Sequence, residues 1–271
     1  MNQQARVGTT QYQRTRDAVE AVAGAIAEML NHLPDTSVPI PNSDWSVGEA
    51  AAHLATAQEL FIEGLKGQSS PYGDGHFTKF SSVNAEQLAE FGERDGAKLA
   101  TLLVERTRIF LEESAAYPIQ HRVHYHFGPM DMTTWTSYML VHLLMHGCAI
   151  AAALDRPSPL KPAHTDLALP FLKAVIPRGF NKEAVSGLKA CLEVRLRGGR
   201  RFAVQFNDGS VIVEDTPTKP VDCHLSADPV AFFLVAFGLA GQWGQIARGK
   251  LVAWGRKPWL ALRLKTFFPN P

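Results

Sequence analysis

A helical first half followed by an α+β second half is the fold class that this 271-residue sequence predicts. Three observations carry it. Apolar residues recur at helical spacing up to about residue 155, capping signals mark helix starts, and after a proline-rich stretch the pattern turns to alternation around an Asn-Asp-Gly turn. The expectation is a four-helix bundle over residues 1–156 and a smaller α+β domain with an antiparallel sheet over 165–271.

The helices come first. From about Tyr12 to Leu33, Val19, Val22, Ile26, Met29, Leu30 and Leu33 form one stripe. Pro34, Pro39 and Pro41 interrupt it. Ser46-Val47-Gly48-Glu49 is a capping box, in which hydroxyl and carboxylate satisfy reciprocal backbone N–H groups, and the helix it opens runs to about Lys66. A Gly/Ser-rich loop, 67–82, leads to a second capping pattern at Asn84-Ala85-Glu86-Gln87 and a long helix to about Ser114. Tyr117 to Asp131 reads as irregular or extended, and a fourth helix runs from about Thr133 to Leu154, ahead of Pro157.

Asp155 to His164 holds three prolines and reads as a linker. After a helix near Asp166 to Val175, the chain alternates through Leu192, Val194 and Leu196 and again through Phe202, Val204 and Phe206. Asn207-Asp208-Gly209-Ser210 then joins that run to Val211-Ile212-Val213 as a hairpin. His224-Leu225-Ser226 is a further strand, and Asp228-Pro229 opens an apolar helix to Phe237. Leu251 to Trp254 is a last strand and Pro258 to Phe267 a last helix.

Composition narrows the classes of function. Hydrophobic residues at 46% and charged residues at 20% suffice for a real core. With 27 basic against 26 acidic residues, the overall balance offers no reason to expect a nucleic-acid or membrane partner. The three cysteines, Cys148, Cys191 and Cys223, lack paired spacing, which fits a reducing, cytoplasmic setting. Met1 to Thr10 has no apolar stretch of a signal peptide. The most apolar run, Tyr138 to Leu154, is shorter than the roughly 20 residues a bilayer needs and carries two histidines, so a buried helix is expected.

Those histidines carry the chemistry. His142 and His146 lie one turn apart on the fourth helix, about 6 Å along its axis, in a stripe with Trp135, Met139 and Ile150. His53 lies among Ala50, Leu54, Ala57 and Phe61 on the inward face of the second helix. Two helices therefore aim three imidazoles at one interior, a ligand set that suits a divalent metal, zinc above all, and leaves an open position. The competing reading makes each a core histidine with its own hydrogen bond, but three polar rings in an apolar bundle are costly unless something resolves them together. His121, His124 and His126 form a second cluster, with His124 and His126 on one face of an extended segment. His124, His126, Arg248 and Arg256 are the candidates for holding the polar ends of a substrate or cofactor. Cys148 and Trp45 are assigned to packing.

At these residues the chain resembles a known family. Asp44-Trp45-Ser46-Val47 leading to Ala52-His53-Leu54, then Asn84-Ala85-Glu86, Phe127-Gly128-Pro129, His142-xxx-His146-Gly147 and Ala152-Ala153-Leu154 look like the mycothiol-dependent maleylpyruvate isomerase family, whose N-terminal domain is a DinB-like metal-binding helical bundle. The later half, with Asn207-Asp208-Gly209, Asp228-Pro229 and Gly249-Lys250-Leu251, resembles a sterol-carrier-protein-like domain. The resemblance implies a cytosolic enzyme with a zinc-type ion on His53, His142 and His146 and a low-molecular-weight thiol, mycothiol or similar, as cosubstrate. The family usually has glutamate where His142 stands, His-Gly-Trp-Asp where this chain has His146-Gly147-Cys148-Ala149, and Gly-Arg where it has Gly238-Leu239.

The expected activity is thiol transfer or cis-trans isomerisation on a small electrophile, with a homodimer left open. Coordination would favour the thiolate, and a water in the open position could instead become the nucleophile. The alternative is a binding protein that encloses a lipid or other apolar ligand between the second domain's sheet and the Pro229–Gly238 helix, with Phe232, Phe233, Val235 and Phe237 as pocket walls and the metal site structural or vestigial. A third class is a regulator that keeps the bundle without chemistry.

Overall fold

Residues 3–73 and 80–269 are described by a computed structural model. The chain divides into two compact units, one up to residue 160 and one from residue 161.

The first unit is helical: α1 (Gln3–Asn31), α2 (Val47–Leu65), α3 (Phe80–Phe91), α4 (Gly96–Ala115) and α5 (Met132–Ala153), with a hairpin of β1 (Arg122–Tyr125) and β2 (Gly128–Asp131) before α5. Helices α1 and α2 each pack on α4 and α5. Val19, Val22, Ile26 and Leu30 of α1 are buried as their spacing requires, as are Leu99, Leu103 and Phe110 of α4 and Trp135, Met139 and Ile150 of α5. At Gly147 α5 approaches α1 closely, since a Cβ there would stand 2.7 Å from Ile26 Cδ1. Helix α5 has the length and composition to cross a bilayer, yet 61% of its apolar window is buried.

Several elements differ from expectation. Helix α1 begins nine residues before Tyr12. The single helix expected from Asn84 to Ser114 is two, because Gly92 takes φ +63°, a left-handed value that ends α3, and Asp95 caps α4 by accepting from Lys98 N. Asn84 caps nothing; it sits inside α3, where its carbonyl accepts from the Tyr72 hydroxyl at 2.8 Å. Part of the expected 67–82 loop lies outside the described residues. The extended 117–131 segment is the β1–β2 hairpin, paired Arg122↔Asp131 through Tyr125↔Gly128.

The second unit runs α6 (Pro162–Val175), α7 (Lys182–Val185), β3 (Lys189–Leu196), β4 (Arg201–Asn207), β5 (Val211–Glu214), β6 (Cys223–Ala227), α8 (Pro229–Ala236), α9 (Gln242–Ala247), β7 (Leu251–Gly255), α10 (Trp259–Leu262) and α11 (Leu264–Phe267). Its five strands lie in the order β5-β4-β3-β6-β7. Three pairings are antiparallel, but β3 and β6 run parallel, so the sheet is mixed and not wholly antiparallel as expected. Asp208 and Gly209 both take positive φ, 45° and 81°, giving the two-residue turn that Asn-Asp-Gly encodes. Leu192, Val194, Phe202, Val204, Phe206 and Leu225 share one sheet face and form the core with the helices. The last helix is broken at Arg263 into α10 and α11.

Candidate metal centre

Helix α2 is fixed at its start by the expected capping box: Ser46 N donates to Glu49 Oε2 at 2.7 Å and Glu49 N to Ser46 Oγ at 3.2 Å. The preceding segment is pinned by Ile40 N to Trp45 O at 2.9 Å and Val47 N to Val38 O at 2.8 Å. Helix α5 is capped by Asp131, which accepts from Thr134 N at 2.8 Å. With both starts held, His53 of α2 faces His142 and His146 of α5.

The three imidazoles meet. His53 Nε2 stands 3.0 Å from His142 Nε2, and one ligating nitrogen from each of the three rings lies within 4.8 Å of the others. Two histidines with no acid between them cannot both donate across 3.0 Å, so one must turn a lone pair to the other. His53 is 4% exposed, and its Nδ1 is fully buried without a hydrogen-bond partner. Burial pushes all three pKa values down, that of His146 to about 4, with the neighbouring histidines adding to the effect at His53 and His142. Neutral imidazole is the form that donates a lone pair to a metal. Nitrogens bound tetrahedrally at ~2.0–2.1 Å lie about 3.3 Å apart, a spacing these rings reach with small rotations. The donor set fits a divalent ion. Among the described residues no other group of histidine, cysteine or carboxylate side chains gathers in this way.

Aromatic rings wall the site. Trp45, expected to be simple packing, lies 4.9 Å from the His53 ring and stacks at 23° on His146 at 5.7 Å. A lone tryptophan before a cap gives no sequence signal of this; only the pinned loop brings it over the histidines. Phe61 packs on Trp135 and Tyr138 at 4.9 and 4.7 Å and reaches His142 at 6.0 Å.

His124 and His126 do not share a face. Strand β1 ends at Tyr125, so His126 falls in the two-residue hairpin loop and turns inward, while His124 stays exposed on the strand. Buried His126 contacts Ser70 Oγ through Nδ1 at 2.7 Å and the Tyr138 hydroxyl through Nε2 at 3.3 Å, and burial lowers its pKa to about 4. His121 packs at a tilt on Tyr117, 4.4 Å away. Cys148 is buried beside the Ser158 hydroxyl at 3.3 Å, as packing predicts. In the sheet unit, Arg248 donates to the Gly244 carbonyl of its own helix and Arg256 pairs with Asp222 at 3.0 Å; both are exposed.

The sheet unit also holds a cavity of about 420 Å³ between the inner sheet face and the helices, walled by residues that include Val194, Phe202, Leu225, Phe232, Val235 and Ile246. Phe232 and Val235 line the cavity, as the binding reading requires, and also pack with the sheet core that is the default for such a run, whereas Phe233 is buried against Phe237, 4.6 Å away, and neither of these two lines the cavity.

No curated protein matches this chain by sequence. Among solved structures, the fold is similar to that of a mycothiol-dependent maleylpyruvate isomerase, with a TM-score of 0.51 and 11% identity over 89% of this chain and 92% of that one. A histidine-to-alanine mutant of such an isomerase matches with a TM-score of 0.50 and 10% identity over the same shares. At that identity the likeness is one of fold. Residues 11–150, more than half of the chain and all three converging histidines, match the DinB superfamily, and this chain belongs to that superfamily.

Proposed function

We propose that the protein is a metal-dependent enzyme in which His53, His142 and His146 hold one divalent ion, zinc by preference, and that it transfers or isomerises a small electrophile with a low-molecular-weight thiol such as mycothiol. In this reading residues 1–156 are a DinB-like four-helix bundle and 165–271 a sterol-carrier-protein-like domain. The observation that carries the reading is the convergence of three neutral imidazoles from two helices.

A bound ion supplies Lewis acidity, favouring the deprotonated form of a thiol or a water. The chain's own residues supply the rest. Phe61 and Trp135 exclude water from one side, and Trp45 covers His53 and His146 from another. His126, held by Ser70, fixes the Tyr138 hydroxyl one turn before His142. If Ser70 donates to Nδ1, then Nε2–H donates to the Tyr138 oxygen and the phenol proton is directed to another acceptor, which suits Tyr138 to orient a polar substrate group. His124, Arg248 and Arg256 are assigned no role.

Metal analysis of the purified protein followed by a thiol-consumption assay with a panel of electrophiles tests this. About one ion per chain and consumption of mycothiol, bacillithiol or glutathione are expected. A metal-loaded protein that consumes none of these sinks the thiol chemistry.

A second reading rests on the sheet unit's cavity, which lies in the size range of small-molecule sites and is walled by apolar side chains. It makes that unit a binding module for an apolar ligand. A fluorescent alkyl probe is expected to bind, and Ala253→Leu, which fills the cavity, to abolish the signal; equal binding by the filled variant rejects the cavity as the site.

A further inference from the structure

The sheet unit's sequence conceals an imbalance that the near-neutral whole chain averages away. Residues 229–271 contain six basic side chains (Arg248, Lys250, Arg256, Lys257, Arg263 and Lys265) and no acidic one, while the rest of the chain holds 21 basic against 26 acidic residues. The same segment carries three of the five tryptophans, all of them exposed: Trp243 at 64%, Trp259 at 49% and Trp254 at 42%, the last on the sheet face away from the cavity and stacked on His224, while Leu262 is exposed at 40%.

We propose that the mouth of this unit's apolar cavity, lined by Trp259, Leu262 and Lys265 with Trp243 and Arg263 next to lining residues in the chain, is a docking surface for an anionic lipid bilayer. The inference goes beyond the metal and thiol reading and does not depend on it.

Trp259, Leu262 and Lys265 line the cavity, as does Gln242 at the start of α9, whose side chain donates to the Leu262 carbonyl at 3.1 Å. That bond ties α9 to α10, and the exposed Trp243 follows Gln242 in the chain. Among the described residues, Arg248, Lys250, Arg263 and Lys265 have no carboxylate partner, so their charge is available to an outside anion. Tryptophans interleaved with basic side chains are the composition of a surface that rests at the headgroup level, with rings in the interface and cations against anionic lipid. An isolated apolar patch would ask for a protein, and cations alone would equally suit a nucleic acid. The exposed aromatics, the unpaired cations and the adjacent apolar cavity together favour a bilayer, from which an apolar ligand can pass into the cavity without crossing water.

Co-sedimentation of the full-length protein with phosphatidylcholine vesicles, with and without phosphatidylglycerol, at low and high salt, tests this. Retention on the anionic vesicles alone, weakened by salt and accompanied by a blue shift of tryptophan emission, is expected. Each basic side chain near such a surface is worth roughly fivefold in affinity, so R263E/K265E is expected to lose at least about tenfold. Trp259→Ala should weaken binding without changing its salt dependence, and R108E, on the helical unit, should bind as wild type. Should R263E/K265E lose the wild-type melting temperature, K265E alone replaces it, with an expected loss of about fivefold. Equal binding to both vesicle types, no binding to either, or tighter binding of a single-stranded oligonucleotide through the same arginine and lysine overturns the proposal.

Discussion

In the helical unit, the interior point reached by α2 and α5 is filled with three imidazoles and walled by aromatic rings. In the sheet unit, the corresponding space between sheet and helices stays apolar and partly open. The two interiors therefore ask for different occupants. Converging neutral imidazoles offer lone pairs to a cation; an apolar cavity is satisfied by hydrocarbon. The difference also shows how each unit is held together. Neutral histidines must be kept from protonation by burial, whereas the sheet core relies only on side-chain volume.

The sharpest way to separate the two units is to damage one and read the other. Phe202→Ala removes a fully buried ring of the sheet core and is expected to cost about 3–5 kcal/mol there, while metal content remains at one ion per chain. Loss of the metal as well would show that the units do not fold independently.

Acid is expected to act mainly on the helical unit. His126 and His146 have folded pKa values of about 4, below the roughly 6.5 of an unfolded histidine. Below about pH 6.5 the unfolded chain takes up protons that the folded one refuses, so stability present at neutral pH is lost progressively down to about pH 4. For His126 alone this amounts to on the order of 3 kcal/mol. Melting of the metal-free protein across that range, against His126→Phe, checks it: the variant should show a shallower decline, and an identical one contradicts the assignment.

His53→Ala is expected to lower zinc affinity at least about a hundredfold, so that zinc added at a hundred times the wild-type Kd stabilises the wild type by about 2.7 kcal/mol and the variant hardly at all. Unchanged ion content in His53→Ala would end the three-histidine site. The smallest effect expected is from Ser46→Ala, which removes the α2 cap for about 1 kcal/mol and should leave ion stoichiometry intact.

The legible parts of this protein are those set by neighbours in sequence. The α2 cap, the α5 stripe, the Asn207–Ser210 turn and the Asp228-Pro229 helix start all depend on a few consecutive residues or on one helical period, and each stands where the pattern puts it. What the pattern misreads is also local in cause. Asn84 looks like a cap because its preference to bond backbone is strong, but a tertiary partner, Tyr72, takes its carbonyl. His124 and His126 look like one face because period two assumes an unbroken strand, and the hairpin turns after Tyr125.

By itself, the sequence determined that His142 and His146 share a helix face, that His53 points inward from another helix, and that the last forty-odd residues carry basic but no acidic side chains and three of the five tryptophans. Only the tertiary structure decided that the three ligating nitrogens come within 4.8 Å of one another, that Trp45 covers His53 and His146, that β3 and β6 run parallel, and that a cavity remains beneath the sheet. The reason is physical. Periodicity fixes the direction of a side chain about its own helix or strand, but the distance between elements is set by how their volumes pack, as where Gly147 lets α5 close on Ile26 of α1.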